Sequence, residues 1–305
     1  MRNLKYSALS ACVVLCAPAL TPSSHAAAQR PEAPNQFIVS ESWLQQHIHD
    51  PNTVVLDVEE GTRAFNDGHI PGAQLLPYGD IAPDLDGLMH QLAPVNALRQ
   101  AFEKVGVSNG SHVIVYASDV PLAARAVFTL DYLGGVTVSF LDGGIAGWRA
   151  AGQPISTTAV AAKPGSYTPS PRPQVVADAD WIRAHQGKPG MSLIDTRTDG
   201  EYVGSGDRHG MPSEGHLAGA HQLQWQQLFS NPGTSTLLPR DSLARLYAAR
   251  VARGDTVVTY CFVAYRASTT YMIARALGYP VKLYDGSYED WSKRKLPLVP
   301  GNSPR

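Results

Sequence analysis

Short apolar runs that end in an acidic residue occur twice in this chain. Val54-Val55-Leu56-Asp57 and Ser192-Leu193-Ile194-Asp195 have the near-continuous hydrophobicity of strands buried on both faces, as in parallel sheets. Each is followed by an aromatic residue, Phe65 or Tyr202, and then by a Gly-His element. That element is Gly68-His69-Ile70-Pro71-Gly72-Ala73 in the first half and Gly215-His216-Leu217-Ala218-Gly219-Ala220 in the second. A helical segment follows in each half. Pro94 to Lys104 stops at Gly106 and Asp241 to Ala252 stops at Gly254, both glycines suiting a helix C-terminus. A second strand is predicted at His112–Tyr116 and again at Thr256–Tyr260, each followed by a loop and a helix that ends at Gly134 or Gly278. A last strand leads to Leu141-Asp142-Gly143-Gly144 or to Tyr284-Asp285-Gly286-Ser287, and Trp148 or Trp291 closes each half.

The two halves keep step over a long distance. Tyr116 and Gly134 are 18 residues apart, as are Tyr260 and Gly278, at an offset of 144. A period of that length means duplicated domains, because solenoid repeats run about 20–50 residues. Strands alternating with helices make both of them α/β, each a parallel sheet flanked by helices. Pro164, Pro169, Pro171 and Pro173 mark 156–173 as a linker between domains expected at 37–155 and 174–300.

Composition narrows the class. With 44% hydrophobic and 17% charged residues in 305, the chain can bury two cores. The formal charge is −1 and no basic run occurs, so neither nucleic acid nor an anionic membrane surface is an expected partner. Residues 1–28 have the pattern of an export signal. Arg2 and Lys5 precede the apolar stretch Ala8 to Leu20, and small residues follow at Ser24-His25-Ala26-Ala27. The apolar stretch is shorter than the roughly 20 residues that span a bilayer. The chain is therefore expected to be periplasmic or secreted, off the membrane once the signal is removed, and monomeric. Removal would take away Cys12 and Cys16 and move the formal charge from −1 to −3. Cys261 would then be the lone thiol in an oxidising compartment, where it must be either inert or used.

Cys261 has the stronger case for use. Val257-Val258-Thr259-Tyr260 ends a strand, a helix is predicted to begin near Arg266, and Cys261 falls at the carboxyl end between them. Open α/β sheets place their sites there. Loop amides, the helix N-terminus and the Arg266 guanidinium could together stabilise a thiolate and an anion beside it. No Cys/His spacing suggests a metal, and His69 and His216 are expected to stitch turns to the sheets.

These features together resemble a tandem-domain rhodanese, a sulfurtransferase of the thiosulfate or 3-mercaptopyruvate type. Phe65 to Leu76 fits the family's N-terminal signature, and Val281 to Trp291 resembles the C-terminal one, departing from it at Tyr288 and Asp290. Cys261 to Ala267 fits its active-site loop, Cys-x-x-x-x-Arg/Thr-Ala. The resemblance implies that Cys261 takes sulfane sulfur from a small donor as a persulfide and hands it to a thiophilic acceptor, with no metal or organic cofactor. It implies that Arg266 and the loop residues Phe262, Val263, Ala264 and Tyr265 cradle the substrate. Arg197 stands as a further substrate contact, although an ion pair with Asp195 is the plainer expectation for it.

In the first half Ala117 aligns with Cys261 and Leu122 with Arg266, so that domain is expected to be inactive. Ser118 has no base beside it in sequence. Mercaptopyruvate-type relatives usually carry arginine where Glu201 stands, so thiosulfate is the expected donor. Asp142 and Asp285 fit turn or capping roles, the tryptophans fit packing, and Arg208 and His209 lie in a loop, 204–215, that flanks the cleft. Two other readings remain. A non-catalytic sulfur carrier or partner-binding domain is compatible with the apolar loop. A cysteine phosphatase would need five residues between Cys261 and Arg266, where four stand.

Overall fold

The computed structural model describes residues 1, 37–208, 211–212, 214–231 and 234–304. The expected export signal at 1–28 lies outside the described residues beyond Met1. The chain runs β1 (Ile38–Val39), α1 (Glu41–His47), β2 (Thr53–Glu59), α2 (Arg63–Asp67), β3 (Gln74–Pro77), α3 (Val95–Lys104), β4 (His112–Tyr116), α4 (Val120–Leu133), β5 (Thr137–Leu141) and α5 (Gly144–Ala150). The second half repeats the plan with β6 (Val176–Ala177), α6 (Ala179–His185), β7 (Met191–Asp195), α7 (Asp199–Val203), a short antiparallel pair β8 (Asp207–Arg208) and β9 (Met211–Pro212), then β10 (Ala220–Gln222), α8 (Arg240–Ala248), β11 (Thr256–Tyr260), α9 (Tyr265–Leu277), β12 (Val281–Tyr284) and α10 (Ser287–Lys293). Helix α8 is shorter than Asp241 to Ala252, and residues 157–172 contain neither helix nor strand. No helix among the described residues is long and apolar enough to cross a membrane.

Two five-stranded parallel sheets result, with orders β1-β5-β4-β2-β3 and β6-β12-β11-β7-β10. The order is the same in both. Duplication extends to single hydrogen bonds. Ser40 and Asp178 cap α1 and α6 by accepting from the N–H three residues on. His69 and His216 stack on Phe65 and Tyr202 with ring centroids 3.8 Å apart, and each donates from Nδ1 to that aromatic residue's carbonyl at 2.9 Å. Tyr116 and Tyr260 accept from the N–H of Ile70 and Leu217. Trp148 and Trp291 donate from Nε1 to the carbonyls of Pro154 and Pro297. The histidines thus tie their turns to α2 and α7 rather than to the sheets as expected, the tyrosines make the link to the sheets, and the tryptophans pack.

The halves meet mainly through α4 and α9. Apart from Tyr132, every residue of α4 is buried. Phe128 meets Tyr271 edge-on at 5.0 Å, and Asp131 takes Arg275 at 2.9 Å and the Tyr271 hydroxyl. Both aspartates before the glycine turns serve this interface rather than a local cap. Asp142 accepts from Leu237 N–H, while Asp285 accepts from Leu92 N–H and pairs with Arg125 at 2.7 Å.

One position separates the two halves electrostatically. Asp195 at the end of β7 is neutralised by Arg197, whereas Asp57 at the end of β2 has Glu59 in the corresponding place. Asp57 and Glu59 are both buried. Burial, reinforced by Glu59, pushes the Asp57 carboxyl up from 3.8 to about 8. The unfolded chain loses that proton near pH 4 while the folded chain keeps it to about pH 8. Stability therefore declines as pH rises through this window, by at most about 1.4 kcal/mol per pH unit from this group. Thermal melts between pH 4.5 and 7.5 should show the decline, and Asp57→Asn should flatten it. An unchanged slope in the variant would remove Asp57 as its source.

Candidate active site

Strand β11 lies inside its sheet, between β7 and β12, and delivers Cys261 at its carboxyl end. The chain then turns within four residues into α9, with Ala264 in the left-handed region at φ 62°. A side chain is strained there, so the turn must be held by its surroundings. Ser287 holds it by accepting at Oγ from Ala264 N–H at 2.9 Å and Cys261 N–H at 3.3 Å. The start of α10 holds it too, with Tyr288 N–H donating to Cys261 O and Glu289 N–H to Phe262 O. Cys261, Phe262, Val263, Ala264 and Arg266 are all buried, and Cys261 has no exposed surface.

Among the described residues, no acceptor meets the backbone N–H groups of Val263, Tyr265, Arg266 and Ala267, and Sγ of Cys261 makes no hydrogen bond. Backbone amides without partners are costly when buried, so these four, one in the turn after Cys261 and three in the first turn of α9, make a place suited to an anion.

Arg266 is not the free cation that the sequence suggested. Its Nη1 and Nη2 donate to Oε2 and Oε1 of Glu201, each at 2.7 Å. Glu201 is in turn fixed by the capping box of α7, accepting from Thr198 N–H at 3.1 Å and Thr198 Oγ1 at 2.8 Å. Burial works against the Glu201 carboxylate, but Arg266 and Thr198 outweigh it and hold its pKa down at about 2. The charge of Arg266 is opposed by burial and supported by Glu201 and Cys261, which places the guanidinium within electrostatic reach of the thiol. The signal for this pair was available in Thr198-x-x-Glu201, but its partner 65 residues away was not.

Arg197 is buried and fully committed. It donates to both carboxylate oxygens of Asp195 and to Gly215 O, and its guanidinium lies 4.3 Å from the centroid of the Tyr288 ring. The structure therefore corrects its place among the substrate contacts in favour of the ion pair. Phe262 stacks on Tyr288 at 5.9 Å. Tyr265 points at the first half, donating to Asp119 Oδ2 at 2.7 Å and meeting the Tyr78 ring edge-on at 5.8 Å. Side chains from 207 to 213 lie outside the described residues, and with them the expected role of Arg208 and His209.

The first half supplies more than its sequence suggested. Arg125, with no exposed side-chain surface, donates to His90 O and pairs with Asp285, while Glu289 accepts from Met89 N–H at 2.9 Å. The segment from Tyr78 to Leu92 is thereby fastened over the start of α10. In the first half's own loop, Ser118 does have a carboxylate neighbour. Its N–H and Oγ both donate to Glu59 at 2.6 Å, which clamps the loop that corresponds to the Cys261 turn.

The chain matches the rhodanese-like domain family over residues 40–151 and 178–294. It is 30% identical over 273 residues to the sulfur carrier protein TtuD of Thermus thermophilus, covering 84% of this chain and 93% of that protein. The chain belongs to the rhodanese family. Another relative of this rhodanese is the thiosulfate sulfurtransferase of Azotobacter vinelandii, 27% identical over 260 residues, covering 84% and 93%. The 3-mercaptopyruvate sulfurtransferase of Escherichia coli is 27% identical over 279 residues, covering 87% and 98%. Among solved structures, SseA of Escherichia coli, a 3-mercaptopyruvate sulfotransferase, superposes with a TM-score of 0.71 at 25% identity, covering 83% of this chain and 99% of that one. The anaerobic ergothioneine biosynthesis enzyme of Chlorobium limicola shares the fold, with a TM-score of 0.77 at 21% identity over 87% of this chain and 70% of its own. With two rhodanese domains and these relatives, the chain is a tandem rhodanese sulfurtransferase.

Proposed function

We propose that this rhodanese moves sulfane sulfur from thiosulfate to a thiophilic acceptor through a persulfide on Cys261. The observation that carries the reading is the placement of Cys261 at the end of β11, next to a turn and helix start whose amides at Val263, Tyr265, Arg266 and Ala267 have no acceptor among the described residues. The Cys261 thiolate attacks the outer sulfur of the donor, the new S–S bond forms, the old one breaks, and sulfite leaves with the electron pair. The acceptor then attacks that outer sulfur and Cys261 departs as thiolate. Loop amides stabilise the anion at both stages. The first half, with Ala117 in the cysteine's place, carries no nucleophile of its own in this scheme. The pattern of residues 1–28 supports an exported location.

Donor choice rests on Glu201. Its two-point grip takes the Nη1/Nη2 end of Arg266 and offsets its charge, which weighs against a donor carboxylate such as that of 3-mercaptopyruvate. The likeness to a sulfur carrier protein supports a second reading in which sulfur arrives from and leaves to protein thiols.

Timed intact-mass spectrometry after thiosulfate, 3-mercaptopyruvate or a persulfidated protein tests all three. One added sulfur on the peptide holding Cys261, fastest with thiosulfate and repeated over many turnovers with cyanide, is the expected result. Single loading without turnover would replace the enzyme by the carrier, and no loading from any donor would end the sulfur-transfer reading.

A further inference from the structure

The first half of this protein carries no nucleophile, but it lends the second half a side chain. We propose that Tyr78 is a hydrogen-bond donor to the sulfur anion on Cys261, so that the active site is completed across the two halves. The proposal rests on the sulfur-transfer reading above and adds a residue to it.

Tyr78 opens the single turn after β3 and is 3% exposed. Its ring is confined by Tyr265, which belongs to the Cys261 loop, and by His90 at 5.4 Å. Its hydroxyl has no hydrogen-bond partner among the described residues. Buried tyrosine hydroxyls ordinarily find one, and this chain follows that rule elsewhere. Tyr247 donates to Thr270 O, Tyr271 to Asp131, Tyr284 to Asp290, and Tyr260 to Asp195. The exception therefore needs a reason, since leaving a buried hydroxyl unmet is destabilising.

The neighbours supply one. Asp119, the nearby acceptor from the first half's loop, is already taken by Tyr265, and Arg125 is committed to Asp285 and His90 O. Burial holds the Tyr78 proton on, Arg125 pulls the other way, and negative charge at Cys261, Asp285 and Glu60 adds to the hold. The group is thus a neutral phenol within electrostatic reach of Cys261, able to donate and with no acceptor among the described residues. A thiolate or a persulfide on Cys261 is the acceptor that this arrangement lacks. Tyr78 keeps its proton throughout. The Sγ–S bond forms, the donor's S–S bond breaks and the leaving group takes the pair, so no base or oxidant is required.

Tyr78→Phe in the full chain removes only the hydroxyl and keeps the ring packing. Two readouts are compared with the wild type: timed loading of Cys261 by thiosulfate, followed by intact mass, and iodoacetamide alkylation of Cys261 against pH. Loading should slow by about 10- to 100-fold, as expected for a lost hydrogen bond to an anion. The alkylation curve should move to higher pH, with the melting temperature equal to or above that of the wild type. Loading at the wild-type rate overturns the proposal. So does slow loading with an unmoved alkylation curve, which would make Tyr78 a packing residue. If the wild type itself takes no sulfur, the transfer reading falls, and the alkylation curve alone decides for or against Tyr78.

Discussion

Cys261→Ser should abolish sulfur transfer from every donor, by at least about a thousandfold, while the protein stays folded. The hydroxyl is close in size to the thiol, and Sγ makes no hydrogen bond among the described residues that the change would break. The backbone that positions residue 261 is held by Ser287, Tyr288 and the sheet rather than by the side chain. Burying the hydroxyl costs about 1–3 kcal/mol when it is unpaired, and the free loop amides give it donors to accept from. What disappears is an ionisable, polarisable nucleophile, because a serine hydroxyl remains protonated where a thiol can ionise. Steady-state thiocyanate formation and intact mass after thiosulfate should both read zero. Transfer within tenfold of the wild type would show that the sulfur travels by a route without Cys261.

Glu201→Gln should be the most destabilising single change near the site. It leaves Arg266, with its side chain 5% exposed, as a buried cation deprived of its bidentate partner. Breaking such a pair from one side costs about 3–5 kcal/mol. The pH dependence carries a sign that can be checked. Glu201 is held down at about 2, below its ordinary 4.5, so its contribution is complete above pH 4.5 and is lost as pH falls towards 2. The gap between wild type and Glu201→Gln in denaturant midpoints should therefore be flat from pH 5 to 8 and close in acid. Adding Arg266→Met to Glu201→Gln should recover much of the loss, because the remaining buried charge goes with it. Arg266→Lys should behave more like a disruption than a conservative change, since an ammonium cannot make two parallel bonds to Glu201. If Glu201→Gln is as stable as the wild type, Arg266 has found another partner and the neutralised-site argument for donor choice is wrong.

Much of the protein could be read along the chain because its determinants are local and occur twice. Asp57 and Asp195 close matching strands, His69 and His216 sit in matching turns, and Cys261 follows a run of five residues that forms a strand in the same place. The hydrophobic runs, glycine stops and Gly-His elements need only neighbours a few residues away. The charges were legible as residues but not as partners. Arg266 looked free because Glu201 lies 65 positions earlier, and Ser118 looked baseless because Glu59 lies 59 positions earlier. Asp285 looked like a turn or capping residue, yet it forms an ion pair between the halves with Arg125.

Sequence alone therefore determined the duplication, the parallel α/β sheets, and the location of Cys261 at the carboxyl end of a buried strand. These follow from hydrophobic period and turn chemistry, which act over a few residues. Only the tertiary structure decided which charges cancel, and that a buried tyrosine hydroxyl from one half, its ring against Tyr265 of the other, is left without an acceptor among the described residues. Electrostatic partnership is set by distance in space, and here it is packing of α4 on α9 that brings the two halves within that distance.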